Sequence, residues 1–333
     1  MRSRGTRDAL IAALASMLVV AALNVVGVAV GHGFGSAATS AATVGTSASA
    51  TPTDGGIAPS TAPGDTGSPA VPATLPGGRS TVFGGGHFLV AYYGTAGTPA
   101  LGVLGKGSPA QMQRQLAKAG RPFARAGRPV QLVYELIVSI ADSSPGPDGD
   151  YSHDLSRAQV EPYLRAAHRH GALLLLDIQA GHSDFLTIAK RWRWALRDPW
   201  VGLALDPEWR MSGHDVPGRV IGHVDAAEVN RTSAWLADLV ARRHLPQKLF
   251  VLHQFRTAMI RHIDRIRHRP GLAMVQHVDG FGTPGEKRTT FHAVVRPKRF
   301  VLGFKLFYQV DIRRMSAREV FGLRPAVRFV SFQ

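Results

Sequence analysis

The stretch VGLALDPEWRM runs from Val201 to Met211. Its apolar half has the length of a strand, and two carboxylates, Asp206 and Glu208, close it one residue apart. Residues two apart on a strand point to the same side. The stretch therefore predicts a strand buried on both faces, with its two acids together at its C-terminal end.

The same pattern repeats on either side. HFLVAYYG (His87 to Gly94) reads as a first strand, VQLVYELIVSIA (Val130 to Ala141) as a second and ALLLLDIQAG (Ala172 to Gly181) as a third. After the fourth come KLFVLHQF (Lys248 to Phe255), LAMVQHVDGFG (Leu272 to Gly282), RFVLGFKLFYQVD (Arg299 to Asp311) and AVRFVSFQ at the end. Helix-like stretches separate them. Ser108 followed by Pro109 starts one, Gly171 stops another, and Asp225 with Glu228 three residues on has capping-box spacing. DFLTIAKRWRWALRD, AMIRHIDRIRHRPG, GEKRTTFHAVV and SAREVFGL read as the remaining helices.

Eight apolar strands alternating with helices over about 250 residues have the size and rhythm of an α/β (β/α)8 barrel, the TIM-barrel architecture. Strands that are apolar throughout are those covered on both faces. A doubly wound open sheet shows the same alternation. The count of eight, and polar residues gathered at strand C-terminal ends, select the barrel. FGGGH precedes the first strand and reads as linker, and no glycine-rich dinucleotide fingerprint or P-loop follows any strand.

A barrel keeps its active site at the C-terminal mouth. The sequence places there Tyr92 and Tyr93, Glu135, Asp177 and Gln179, Asp206 and Glu208 with Trp209, His253 and Gln254, Gln276, His277 and Asp279, Lys305 and Tyr308, and Gln333. Buried polar groups are costly unless paired or used. Each has a plainer reading: tyrosines of the rim, glutamines that orient neighbours, Asp177 as a helix cap. Glu135 pairs with Lys305 or, with the register shifted by one, faces outward. Trp192, Trp194 and Trp200 read as packing. The pair Asp206 and Glu208 is the most specific feature. Two close acids repel, one of them holds its proton toward neutral pH, and such a proton suits donation to a glycosidic oxygen.

LALDPEW at the end of the fourth strand, within this order of elements, resembles secreted (β/α)8 glycoside hydrolases. Family 18 chitinases and family 25 lysozymes both carry Asp-x-Glu there. The resemblance implies Glu208 as proton donor and Asp206 as its helper. The further aspartates of the longer chitinase pattern are replaced by Ala204 and Val201, and VAYYG stands where family 25 has an aspartate in strand one. High Ala, Arg and Gly usage gives the chain an actinobacterial look.

Upstream, Arg2, Arg4 and Arg7 precede an apolar run from Ala9 to Gly31, long enough to cross a bilayer. Arginines on its N-terminal side place the rest of the chain outside the cell. An uncleaved single-pass anchor is the first reading. A cleaved signal peptide with SASA at Ser47 to Ala50 is the second. The stretch from Ser36 to Arg79 is rich in Ala, Thr, Ser, Gly and Pro and reads as a disordered linker. Three regions result: 1–35 anchor, 36–80 linker, 81–333 barrel.

The net charge of +16 calls for an anionic partner. With an export signal that partner is an anionic cell-wall polymer or other polysaccharide rather than nucleic acid. The absence of cysteine excludes disulfides, a cysteine nucleophile and a lipidated cysteine. The expected function is a membrane-anchored extracellular glycoside hydrolase, monomeric, without cofactor or metal. The alternative is a non-catalytic barrel that binds glycan or envelope polymer. A metal-dependent hydrolase using Asp177, Asp206, Glu208, His253 and His277 ranks last, because no His-x-His or His-Glu-x-x-His spacing supports it.

Overall fold

A computed structural model of the protein describes residues 73–125 and 127–333. The expected anchor, Ala9 to Gly31, and residues 36–72 of the expected linker lie outside them. Among the described residues, no helix is long and apolar enough to cross a membrane.

Eight parallel strands carry the fold: β1 Phe88–Gly94, β2 Val130–Ala141, β3 Leu173–Ile178, β4 Val201–Leu205, β5 Lys248–Gln254, β6 Leu272–Val278, β7 Val301–Leu306 and β8 Val327–Phe332. Each pairs with its neighbours in chain order, and β1 pairs with both β2 and β8. The sheet therefore closes into a (β/α)8 barrel, and the open-sheet alternative is excluded. The outer layer contains α1 Pro109–Gly120, α2 Arg157–His170, α3 Phe185–Arg191, α4 Arg193–Leu196, α5 Ala226–Arg242, α6 Pro284–Val294 and α7 Ala317–Phe321. Ser108 and Gln111 form a capping box on α1, and Gly171 ends α2 in the left-handed conformation.

Period-two alternation splits each strand between two cores. Leu89 and Ala91, Val133, Leu175, Ala204, Leu249 and Val251, Val275 and Phe329 pack together inside the barrel. Their sequence neighbours pack outward with the helices. The interior core also takes Leu75 and Val82. Arg79 fixes this segment, donating to the carbonyls of Pro76 at 2.9 Å and Val82 at 2.8 Å and to the side chain of Gln131. Leu75, in the last residues of the expected linker, and Val82, just beyond it, thus pack into the interior core at the lower end of the barrel.

Three local expectations change. AMIRHIDRIRHRPG is not a helix: it forms two 3-10 turns and a short strand, Ile260–Arg261, paired with Val224–Asp225. A helix would stack Arg261, Arg265 and Arg269 at i, i+4, where like charges repel. Instead His262 turns left-handed (φ 54°) and its Nδ1 lies 2.7 Å from Asp225 Oδ2. DFLTIAKRWRWALRD breaks at Trp192, whose Nε1 donates to Ser139 Oγ at 3.0 Å. Asp225 caps α5, accepting from Ala227 N, but Glu228 is not the second half of a capping box. It accepts instead from Phe185 N at 2.9 Å and from Arg210 Nε at 3.1 Å.

Lys248, at the start of β5, is fully buried and donates to the carbonyls of Asp198 at 2.6 Å and Val201 at 2.8 Å. Burial lowers its pKa to about 7. An unfolded lysine keeps its proton to about 10.4, so between those values unfolding takes up a proton and stability rises with pH. Below about 7 both states are charged and the slope vanishes. The unfolding free energy of the wild type, minus that of Lys248→Met, is therefore expected to climb from pH 7.5 to 9.5. The limiting slope is about 1.4 kcal/mol per pH unit. Urea titrations at four pH values check it, and parallel curves would refute it.

Candidate active site

The inward parity that gives apolar layers lower in the barrel gives polar groups at its upper end. Tyr93, Glu135, Asp177, Asp206, His253, His277, Lys305 and Ser331 continue the interior rows, and Asp279 follows β6 in the same sense. All nine are buried. Gly303 on β7 makes room for one of them: a Cβ there would lie 2.4 Å from His277 Cδ2. Gly303→Ala is expected to cost about 1–3 kcal/mol and to displace the His277 ring. Denaturation and histidine NMR shifts check both, and an unmoved His277 resonance would contradict the packing argument.

Asp279 is the hub. Its Oδ2 lies 2.7 Å from His253 Nδ1 and 2.8 Å from Lys305 Nζ, and its Oδ1 lies 2.8 Å from His277 Nδ1. On the far side of its ring, His253 Nε2 stands 3.1 Å from both Glu135 Oε1 and Asp177 Oδ2. Lys305 Nζ also lies 3.8 Å from the centroid of the Tyr93 ring. The Tyr93 hydroxyl donates to Asp206 Oδ2 at 3.4 Å and accepts from Gln179 Nε2 at 3.5 Å.

The expected strand pair is built differently. β4 ends at Leu205, and Pro207–Trp209 is a 3-10 turn, so Glu208 leaves the strand instead of following Asp206 along it. Proline at the first turn position forces the break, since it offers no N–H to the ladder. Hydrogen bonds hold the turn: Gly222 N donates to Glu208 O at 2.7 Å and Met211 N to Gly181 O at 2.7 Å. Arg210, paired with Glu228, also donates to His182 O at 3.3 Å. Asp206 is buried, while Glu208 is partly exposed.

Charge and burial separate the roles. Burial is the largest influence on Glu208 and lifts its carboxyl to about 7; Lys305 offsets part of that and Asp279 adds to it. Burial, then the Glu208 and Asp177 carboxyls, hold Asp206 well above the usual carboxylate range. Burial raises Asp177 despite His253. Burial opposes ionisation of Glu135, but the His253 contact outweighs it and its pKa falls. Asp279 is likewise driven well down by His253 and Lys305 against its burial. Burial works against charge on His253, yet Asp279 outweighs it and the ring is held well above its ordinary value. His277 is pulled down by burial.

Other expected members lie elsewhere. Gln276 donates to Gln254 Oε1 at 2.6 Å and to Val294 O at 2.8 Å, so both glutamines tie the strands to the helix layer. Tyr92 also faces outward, against Phe332, with its hydroxyl 3.3 Å from that of Tyr308. Tyr308 is half-exposed beyond the end of β7, beneath Arg314. Trp209 is buried in the outer core and presents no open face. Trp200 stacks on His168 and Trp192 is buried, in keeping with packing roles. Glu135 faces inward, on the floor of the mouth. Sequence reasoning passed over Ser331 and the central place of Asp279; both were legible as continuations of the rows through Phe329 and His277.

Against known proteins, the chain matches no family model and no curated sequence. The closed parallel barrel with flanking helices is an architecture shared with glycoside hydrolases.

Proposed function

We propose that this barrel is a glycan hydrolase in which Glu208 donates a proton to the glycosidic oxygen and Asp206 assists it. One observation carries the reading: Glu208 is the partly exposed acid of the mouth, and its surroundings hold it protonated to about pH 7. A general acid works best with a pKa near the operating pH. The buried set beneath it, Asp279 with His253 and Lys305, supplies fixed charge that tunes and positions the acid. Tyr93 and Gln179 hold Asp206 in place. The substrate class follows from charge: a chain carrying +16 favours an anionic envelope polysaccharide. Attachment to the cell surface through Ala9 to Gly31, with the barrel outside the cell, is part of the same proposal.

A second reading has its own support. Trp209 and Tyr92 are buried away from the mouth, so the flat aromatic surfaces common in sugar-binding clefts are not displayed by them. That favours a barrel that binds the polymer without cleaving it.

The test is reducing-sugar release by the purified protein from a panel of cell-wall and chitin-like glycans. Cleavage of any member supports the hydrolase. Silence across the panel with salt-sensitive retention of an anionic glycan selects the binding barrel.

A further inference from the structure

We propose that Glu135, Asp177 and His253 form a site for one divalent transition cation, of the Zn²⁺ or Mn²⁺ class, on the floor of the mouth. The inference stands apart from the hydrolase reading, since it rests on ligand geometry and not on the acid Glu208.

The three side chains come from β2, β3 and β5 and are fully buried. Their ligand atoms lie within 4.8 Å of one another. His253 Nε2 is 3.1 Å from Glu135 Oε1 and 3.1 Å from Asp177 Oδ2. Bonds of 2.0–2.1 Å to a shared cation subtend about 95–100° across such an edge, between octahedral and tetrahedral values. Among the described residues, both oxygens of Glu135, both of Asp177 and His253 Nε2 make no well-aligned hydrogen bond. Leaving five buried ligand atoms without a well-aligned partner is costly, and a bound cation removes that cost.

The outer contacts fit as well. His253 Nδ1 lies 2.7 Å from Asp279 Oδ2, so Nδ1 keeps its proton, and the cation takes the Nε2 position in place of the second ring proton. A carboxylate behind a ligating histidine is the usual arrangement around such metals. Asp279 is itself fixed by His277 and Lys305. Lys305 does not replace the cation, because its ammonium pairs with Asp279. One imidazole and two carboxylates suit a borderline ion such as Zn²⁺ or Mn²⁺ better than a soft one.

The experiment uses the full chain, stripped with chelator and titrated separately with Zn²⁺ and Mn²⁺ by calorimetry, with metal content read after dialysis. One equivalent of at least one ion is expected, with a raised melting temperature. Asp279→Asn is expected to weaken binding about 10–100-fold, and Asp177→Asn at least tenfold. Less than a tenth of an equivalent of either ion in the wild type overturns the proposal without any variant. Wild-type affinity in a folded Glu135→Gln/Asp177→Asn variant overturns it too. Binding is read without glycan. Glycan cleavage by metal-free protein that binds neither ion sinks this inference alone. Binding with a silent glycan panel upholds it and sinks the hydrolase.

Discussion

Glu208→Gln lowers kcat/KM on the cleaved glycan by about 10²–10⁴-fold, with the fold and melting temperature unchanged. Glutamine keeps the shape of the side chain and removes the transferable proton. Glu208 is partly exposed, and the turn that carries it is held through its main-chain carbonyl, which accepts from Gly222 N at 2.7 Å. The pH profile supplies the second readout. The acid acts in its protonated form, and its pKa is about 7. Wild-type kcat/KM is therefore flat on the acidic side of that value and falls about tenfold per pH unit above it. In the glutamine variant the residual activity has lost that limb. Initial rates from pH 5 to 9 on both proteins decide the matter. A variant within threefold of wild type, or one that keeps the same alkaline limb, would remove Glu208 from the role of acid.

Lys287→Met is expected to cost about 3–5 kcal/mol of stability. Lys287 lies in the first turns of α6, with no exposed surface. Its ammonium donates to Gly280 O at 2.6 Å, Lys305 O at 2.9 Å and Asp311 Oδ1 at 2.8 Å. It thereby joins the segment after β6, the end of β7 and the loop beyond it, all next to the mouth. The rings of Phe304 and Phe307 lie 5.1 Å and 5.0 Å from the ammonium. Methionine fills the space but takes the ammonium from two carbonyls and leaves Asp311 a buried charge that keeps its bond from Phe307 N but has lost its ion pair. The double variant Lys287→Met/Asp311→Leu is expected to recover most of the loss, because it removes the stranded charge. Urea denaturation of wild type, single and double variants forms the test. A single-variant cost below 1 kcal/mol would mean that the ion pair contributes little beyond its packing.

The barrel was legible because its signal is made of repeated, local features. Continuous apolar runs such as LLLLDI and VGLAL mark strands covered on both faces, and the boundary signals Ser108 and Gly171 act within one helical turn of themselves. The one helix read wrongly, Ala258 to Gly271, shows the limit of that method. Its apolar residues Met259, Ile260, Ile263 and Ile266 are all buried as periodicity demands. Their backbone takes another course because arginine repulsion and pairing with Val224–Asp225 outweigh helix propensity. Glu228 likewise had capping-box spacing, yet Arg210 and Phe185, distant in sequence, claimed its carboxylate.

The site was legible as a set of strand ends, and the sequence by itself determined that acids, histidines and a lysine gather at one mouth. It also determined the pairings of parity within each strand: His253 and Gln254, Gln276 and His277, Tyr92 and Tyr93 must point opposite ways. What it could not determine was which member of each pair faces inward. Both faces of a parallel barrel strand are buried, so hydrophobicity does not mark the interior. Closure of β1 onto β8 decided that, turning Tyr93, His253 and His277 in and Tyr92, Gln254 and Gln276 out. It also brought Asp279 of one strand end against His253 of another and His253 against Glu135 and Asp177 of two more. Those contacts join residues 26, 118 and 76 positions apart, as the numbers 253, 279, 135 and 177 give directly. The charges of such groups depend on their separation and burial, which have no counterpart in the linear chain until the barrel closes.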